Sequence, residues 1–121
     1  MTECDTYQVL SRRTVPSEVD DLLGMAVMGL CGEAGEIIEL VKKARYQGRE
    51  LDVDRLKDEL GDLQWYAHKV ADALGVLMSE VLEENLDKLE RRYPNGFSVE
   101  DSLAKRDRAI REYPKTRNQN T

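Results

Sequence analysis

From Val19 to Tyr46, and again from Val53 to Leu74, apolar residues recur at the three- and four-residue spacing of one helix face. Nowhere does the chain alternate apolar and polar residues as a half-buried strand would, so the fold is restricted to packed helices. Composition agrees where it bears on the point: there are 3 Pro, aromatics make up 6%, and Glu, Lys, Arg and Leu, all good helix formers, are frequent. Short connections make neighbouring helices antiparallel, and 121 residues provide one core but little room for a self-contained multi-site enzyme. The expectation is an all-α fold, an antiparallel bundle of about four main helices completed by oligomerisation.

The punctuation of the chain places these helices. A short first helix is expected over Thr6–Arg13, with Tyr7 and Leu10 on one face. Pro16 and Ser17 interrupt it; Ser17 can cap a second helix running from about Val19 to Tyr46, with Asp20 and Asp21 in its opening turn and Gly48 as its stop. Asp52 or Asp54 can cap a third helix over Val53–Leu74, which Gly75 ends. A fourth is expected from about Val76 to Tyr93, closed by Pro94, Asn95 and Gly96. Ser98–Arg111 has a Ser98/Asp101 capping pattern and weak helical character. Residues 1–111 are expected to form one domain and residues 112–121 a disordered basic tail.

The net charge of -6 is unevenly spread. Residues 104–121 hold six Lys or Arg against two acids, so residues 1–103 carry a charge of -10. A domain this acidic is poorly suited to tracking a nucleic-acid backbone. An acidic site for cations suits it better. Two cysteines, Cys4 and Cys31, show no disulfide or zinc spacing. Met1–Leu10 lacks a signal-peptide pattern, and no apolar run reaches membrane length. A reducing, cytoplasmic setting without membrane partners is the expectation.

Within the two long periodic stretches, Glu33 and Glu36 form one acid pair, and Glu59 and Asp62 form another at the same spacing. At about 100° per residue, with Glu33 at zero, Ala26, Leu30, Ala34, Ile37, Val41 and Ala44 fall in an arc of about 20° to 100°. Glu33 thus lies on the apolar side and Glu36 at its edge. With Glu59 at zero, Leu56, Leu60, Leu63, Ala67, Val70 and Leu74 occupy the same arc and Asp62 sits at about 300°. Packed face to face, two such helices bring four carboxylates together. Repulsion and lost hydration then require protonation or a counter-charge. Lys43, two turns beyond Glu36, can supply part of it; a divalent cation supplies more, and all-oxygen ligands favour Mg²⁺ or Mn²⁺. The ordinary alternative, surface acids paired with Lys and Arg, fits a single pair better than two pairs with one offset.

A di-iron bundle is disfavoured because it needs Glu-x-x-His motifs, and Trp65, not Glu, stands three residues before His68. His68 falls about 180° from Glu59, which reads as a surface role. Gly29, Gly32, Gly35 and Gly61 interrupt good helix patterns, each at about 1 kcal/mol relative to Ala. Two readings stand for them: room for a ligand, or close helix packing. On the fourth helix, Asn85 falls beside the arc of Met78, Leu82, Leu86 and Leu89, which makes it core-facing, and Lys88 and Arg92 flank it.

The segments GLCGEAGEIIELVKK, DELGDLQWY and ENLDKLERRYPNGF together resemble the MazG-like family of all-α nucleoside triphosphate pyrophosphohydrolases, with its Glu-x-x-Glu and Glu-x-x-Asp signature. The resemblance covers about Tyr7 to Phe97. It implies Mg²⁺-dependent hydrolysis of a (deoxy)nucleoside triphosphate to monophosphate and pyrophosphate, in a role such as nucleotide pool sanitation, with catalysis and metal binding by Glu33, Glu36, Glu59 and Asp62. Lys43, Asn85, Lys88 and Arg92, with Arg91 as a rival, become candidate substrate contacts. Tyr66 and Trp65 are candidates for stacking on the base, although ordinary packing, or a subunit interface for Trp65, would also explain them. The family forms dimers or tetramers that share active sites. Several relatives carry an additional Glu just before the first motif Glu, proposed there as the water-activating base; Gly32 occupies that place here, which leaves a motif Glu, Glu39 or metal-bound hydroxide for that role. A phosphoribosyl-ATP pyrophosphohydrolase and a non-catalytic helical adaptor are the other readings.

Overall fold

The structure is a computed structural model and describes residues 3–104. Its order is α1 (Cys4–Ser11), a 3-10 turn (Arg12–Thr14), α2 (Leu22–Tyr46), α3 (Val53–Leu74), α4 (Met78–Arg92) and α5 (Val99–Ala104). No strand forms among the described residues, so the all-α expectation holds. None of the described helices is long and apolar enough to cross a membrane. The chain divides into two compact units, Met1–Glu80 and Val81–Thr121, with the boundary in the first turns of α4. The tail expected over residues 112–121, and the helical character expected beyond Ala104, lie outside the described residues.

In the first unit α2 and α3 pair as an antiparallel hairpin. The cross-helix neighbours show the direction: Glu36 faces Arg55, Glu33 meets Glu59, and Gly29 meets the Tyr66 ring, so positions on α2 fall as those on α3 rise. Local chemistry sets the helix ends. The Asp52 carboxylate accepts from Arg55 N–H at 3.0 Å and caps α3 where expected. At the other end Gly75 adopts φ +71°, which a side chain rarely tolerates. Its N–H donates to Asp72 O, and Val76 N–H donates back to Ala71 O at 3.1 Å, closing the helix in a Schellman arrangement.

The start of α2 differs from expectation. Asp21, not Ser17, is the cap, accepting from Gly24 N–H at 2.9 Å, so the helix begins at Leu22. A turn in which Val19 N–H donates to Pro16 O keeps the preceding residues out of it.

A second correction concerns α1. Of the expected Tyr7/Leu10 face only Tyr7 packs, since Leu10 is 61% exposed, while Gln8 is wholly buried. The Gln8 amide donates to Asp72 Oδ1 (2.8 Å) and Val76 O (2.9 Å), and its carbonyl accepts from Met78 N–H (2.7 Å). Asp5 accepts from both the backbone and the hydroxyl of Ser79. Together they cap the first turn of α4, which explains why that helix starts at Met78 and not Val76.

Helix α1 also covers a side of α3 that periodicity assigned to solvent. His68 is consequently buried, with its ring against Gln64 O (2.7 Å), Cys4 Sγ (3.5 Å) and the Tyr7 ring (4.8 Å between centroids). Lys69 is fully buried, bonded to Asp72 (2.9 Å) and Ser11 Oγ (2.8 Å). One amphipathic stripe marks one packing face; a helix packed on two sides hides the second behind polar residues.

In the second unit, the Ser98 hydroxyl accepts from Asp101 N–H at 3.0 Å, as the capping pattern predicts, and α5 follows. The side of α4 read as core-facing is open in the single chain: Leu82, Leu86 and Leu89 are 49%, 65% and 40% exposed. Asn85 is exposed too, and its expected burial is not observed among the described residues.

Candidate functional site

The antiparallel hairpin sets the two acid pairs side by side. Ligand-capable oxygens of Glu33, Glu59 and Asp62 lie within 4.8 Å of one another. Three of the four carboxylates expected to meet, from two helices, thus converge. Glu36 is the outlier at the edge of the cluster, 56% exposed at its side chain and 3.9 Å from Arg55.

The cluster is charged, crowded and under-compensated. Contact with the Glu59 carboxyl, then burial, then the charges of Glu59, Asp62 and Glu36 push the Glu33 carboxyl up to about 7. Burial first, then Asp58 and Glu59, also raises Asp62. Arg55, one turn before Glu59 on α3, reaches Glu59 and Glu36 at 3.9 Å each, too far for tight pairing. Glu33 Oε2 is buried and has no hydrogen-bond partner. A buried, unpartnered carboxylate oxygen on a residue grouped with two further carboxylates is a donor set of hard oxygens, which fits a hard divalent cation.

Beside the carboxylates opens a cleft of about 350 Å³ lined by Thr14, Glu33, Asp62, Trp65 and Tyr66. Both aromatic candidates therefore border it, their rings edge-to-face at 5.0 Å. Gly29 owes its identity to Tyr66, since a Cβ there would overlap the ring. Close packing therefore accounts for Gly29. At Gly32, Gly35 and Gly61 a Cβ would meet nothing within 4 Å among the described residues, so packing among those residues does not explain them.

Other candidates fall elsewhere. Lys43 lines a separate hollow of about 220 Å³ with Leu40, Arg49, Glu50, Asp52 and Arg55, at the α2–α3 connection. Arg55 reaches Glu36 at 3.9 Å, because the turn into α3 brings it across from the α2 acids. Glu39 is held by Lys42 at 2.9 Å, and that contact depresses its carboxyl, which makes it a poor proton acceptor. Asn85, Lys88 and Arg92 share one side of α4, in the second unit. Arg92 is engaged, whereas Arg91 Nε is buried without a partner.

Sequence reasoning missed two residues of this region. Arg55 was legible, standing four residues before Glu59 where helical neighbours meet. Thr14 had no signal, since only the 3-10 turn carries it to the cleft.

Over 102 residues the chain is 36% identical to Gene 37 protein of Mycobacterium phage L5, an alignment spanning 76% of this chain and 90% of that protein. No solved structure gives a significant match. Residues 16–97, which include both acid pairs and the two aromatics beside them, match the family model described as the MazG nucleotide pyrophosphohydrolase domain. The matched stretch spans more than half of the chain, and the chain belongs to the MazG nucleotide pyrophosphohydrolase family.

Proposed function

We propose that the protein hydrolyses a (deoxy)nucleoside triphosphate to the monophosphate and pyrophosphate, with Mg²⁺, or Mn²⁺ in its place, as cofactor. The observation that carries this reading is the convergence of Glu33, Glu59 and Asp62 with one buried, unpartnered oxygen, in a chain of this family. Those three residues, with Glu36 at the edge, would hold the cation. A bound divalent cation supplies charge neutralisation on the phosphates and acidifies a water for attack.

The remaining work falls to the chain's own side chains. Arg55 moderates the acid charge without closing the site, since its contacts of 3.9 Å leave the carboxylates available. A motif carboxylate, not Glu39, accepts the proton of the attacking water, because Lys42 already occupies Glu39. Trp65 and Tyr66 flank the cleft where a base can stack. Lys43, Asn85, Lys88 and Arg92, together with Arg91, are the proposed phosphate and substrate contacts. Assembly into a dimer or tetramer is part of the proposal, supported by the open Leu82, Leu86 and Leu89 stripe of α4.

The test is incubation of the full chain with a panel of ribo-, deoxyribo- and modified nucleoside triphosphates plus Mg²⁺, with products separated by chromatography. Monophosphate and pyrophosphate are expected. Diphosphate and phosphate, or no turnover on any substrate, would refute the reaction.

A further inference from the structure

The indole of Trp65, the single tryptophan of the chain, walls the cleft beside the carboxylates. Its one hydrogen-bonding group is already engaged: Nε1–H donates to Thr14 Oγ1 at 2.8 Å. The Thr14 hydroxyl donates in turn to Ser11 O at 2.6 Å. Ser11 Oγ accepts from the buried Lys69 ammonium at 2.8 Å, and Lys69 pairs with Asp72 at 2.9 Å. The same ammonium lies 5.6 Å from the centroid of the Trp65 ring, within cation–π range. One edge of the indole is thus tied to the 3-10 turn, and the ring sits over a cation that is itself locked in place.

An indole whose N–H is taken offers a ligand only its π-surface. Stacking on such a surface is tolerant of base identity, because every base has a π-face. We propose that Thr14 is a positioning residue whose hydroxyl fixes the Trp65 ring as a stacking wall for the nucleobase, so that Trp65 contributes affinity without selecting the base. This rests on the nucleotide reading above and adds to it a residue of the 3-10 turn and a limit on specificity.

Because Trp65 is the single tryptophan, its fluorescence reports the wall directly. The full chain, Thr14→Val and Thr14→Ser would be titrated in Mg²⁺ buffer with the four deoxynucleoside monophosphates and, as a ligand lacking a base, with pyrophosphate. Circular dichroism establishes that each variant is folded. In the parent protein all four monophosphates should quench Trp65 emission with similar affinities, and pyrophosphate should not. Thr14→Val should weaken monophosphate binding by about three- to tenfold, the range for one lost hydrogen bond, and lower the steady-state anisotropy of Trp65; Thr14→Ser should restore both.

Equal binding and equal anisotropy in Thr14→Val would overturn the positioning role. Quenching confined to one base would overturn the claim that Trp65 does not select. Turnover of triphosphates with no quenching by any nucleotide would remove the wall but keep the reaction, whereas Thr14-dependent quenching without turnover would support the wall and sink the reaction.

Discussion

Helix α3 carries two clusters of ionisable side chains that are resolved in opposite ways. Toward α1, Asp72 receives Gln8 at 2.8 Å, Lys69 at 2.9 Å and Arg12 at 3.0 Å, so the charges of a buried seam are paired and hydrogen-bonded. Toward α2, Glu59 and Asp62 meet Glu33 with only a distant Arg55, and one buried oxygen has no partner. The difference is one of compensation: a polar cluster that satisfies itself holds helices together, whereas an unsatisfied one is open to a proton or a counter-ion. Both lie on one helix of 22 residues.

Removing a charge should therefore have opposite consequences in the two places. The largest effect is expected at the acid site: if Glu59 holds the cation, Glu59→Gln should lower turnover by on the order of a hundredfold or more, since groups that merely orient a metal ligand are worth about 10–100-fold. Without metal, its thermal stability should equal or exceed that of the parent protein, because a repulsive charge is gone. Glu36→Gln should also abolish activity while preserving helical circular dichroism. Normal turnover in both variants would refute the metal assignment.

Next in size is the seam. Asp72→Ala should cost about 3–5 kcal/mol in denaturant unfolding, because it leaves Lys69 buried without its partner. A loss below 1 kcal/mol would show that the seam does not hold α1 to α3. Smaller again is Gly29→Ala, whose Cβ must displace the Tyr66 ring; overpacking of this kind costs about 1–3 kcal/mol. The smallest change, and one of opposite sign, is Gly32→Ala. Open space surrounds that position, and helix propensity alone should add up to about 1 kcal/mol of stability.

The same contrast should appear against pH. Glu33 keeps its proton up to about 7 in the folded chain, against an ordinary value of 4.5. Between those values the folded state binds more protons than the unfolded one, so metal-free stability should fall as pH rises through that window and level off above it. Burial works to raise Asp72, but hydrogen bonds from Arg12, Gln8 and Lys69 outweigh it and hold its carboxyl below the ordinary 3.8. The seam's contribution is thus present above that value and lost in more acidic solution. Unfolding free energies measured across pH would resolve the two slopes, and a flat profile from pH 4.5 to 7 would contradict the crowding at Glu33.

How much of this was legible in the sequence follows the same division. Helical phasing put Glu33 and Glu59 on the packed side and Asp62 beside them, because an apolar stripe of period 3.6 leaves a clear mark. The limits of α3 were readable from Asp52 and Gly75. The seam was not readable: Gln8, His68 and Lys69 are polar residues buried by partners some 60 positions away in sequence, and no local pattern encodes that pairing. Thr14 was hidden for the same reason. Leu10 misled because a short helix can be held largely by hydrogen bonds and not by all of its apolar side chains.

The most direct test of the central claim, that the α2–α3 acids are left unpaired for a divalent cation, is thermal unfolding of the full chain at pH 8 with and without millimolar Mg²⁺. A ligand that binds only the folded state stabilises it by mass action. Mg²⁺ should raise the midpoint of the parent protein and of Asp72→Ala, and leave Glu59→Gln unmoved. An unchanged midpoint in the parent protein, or an equal rise in Glu59→Gln, would contradict it.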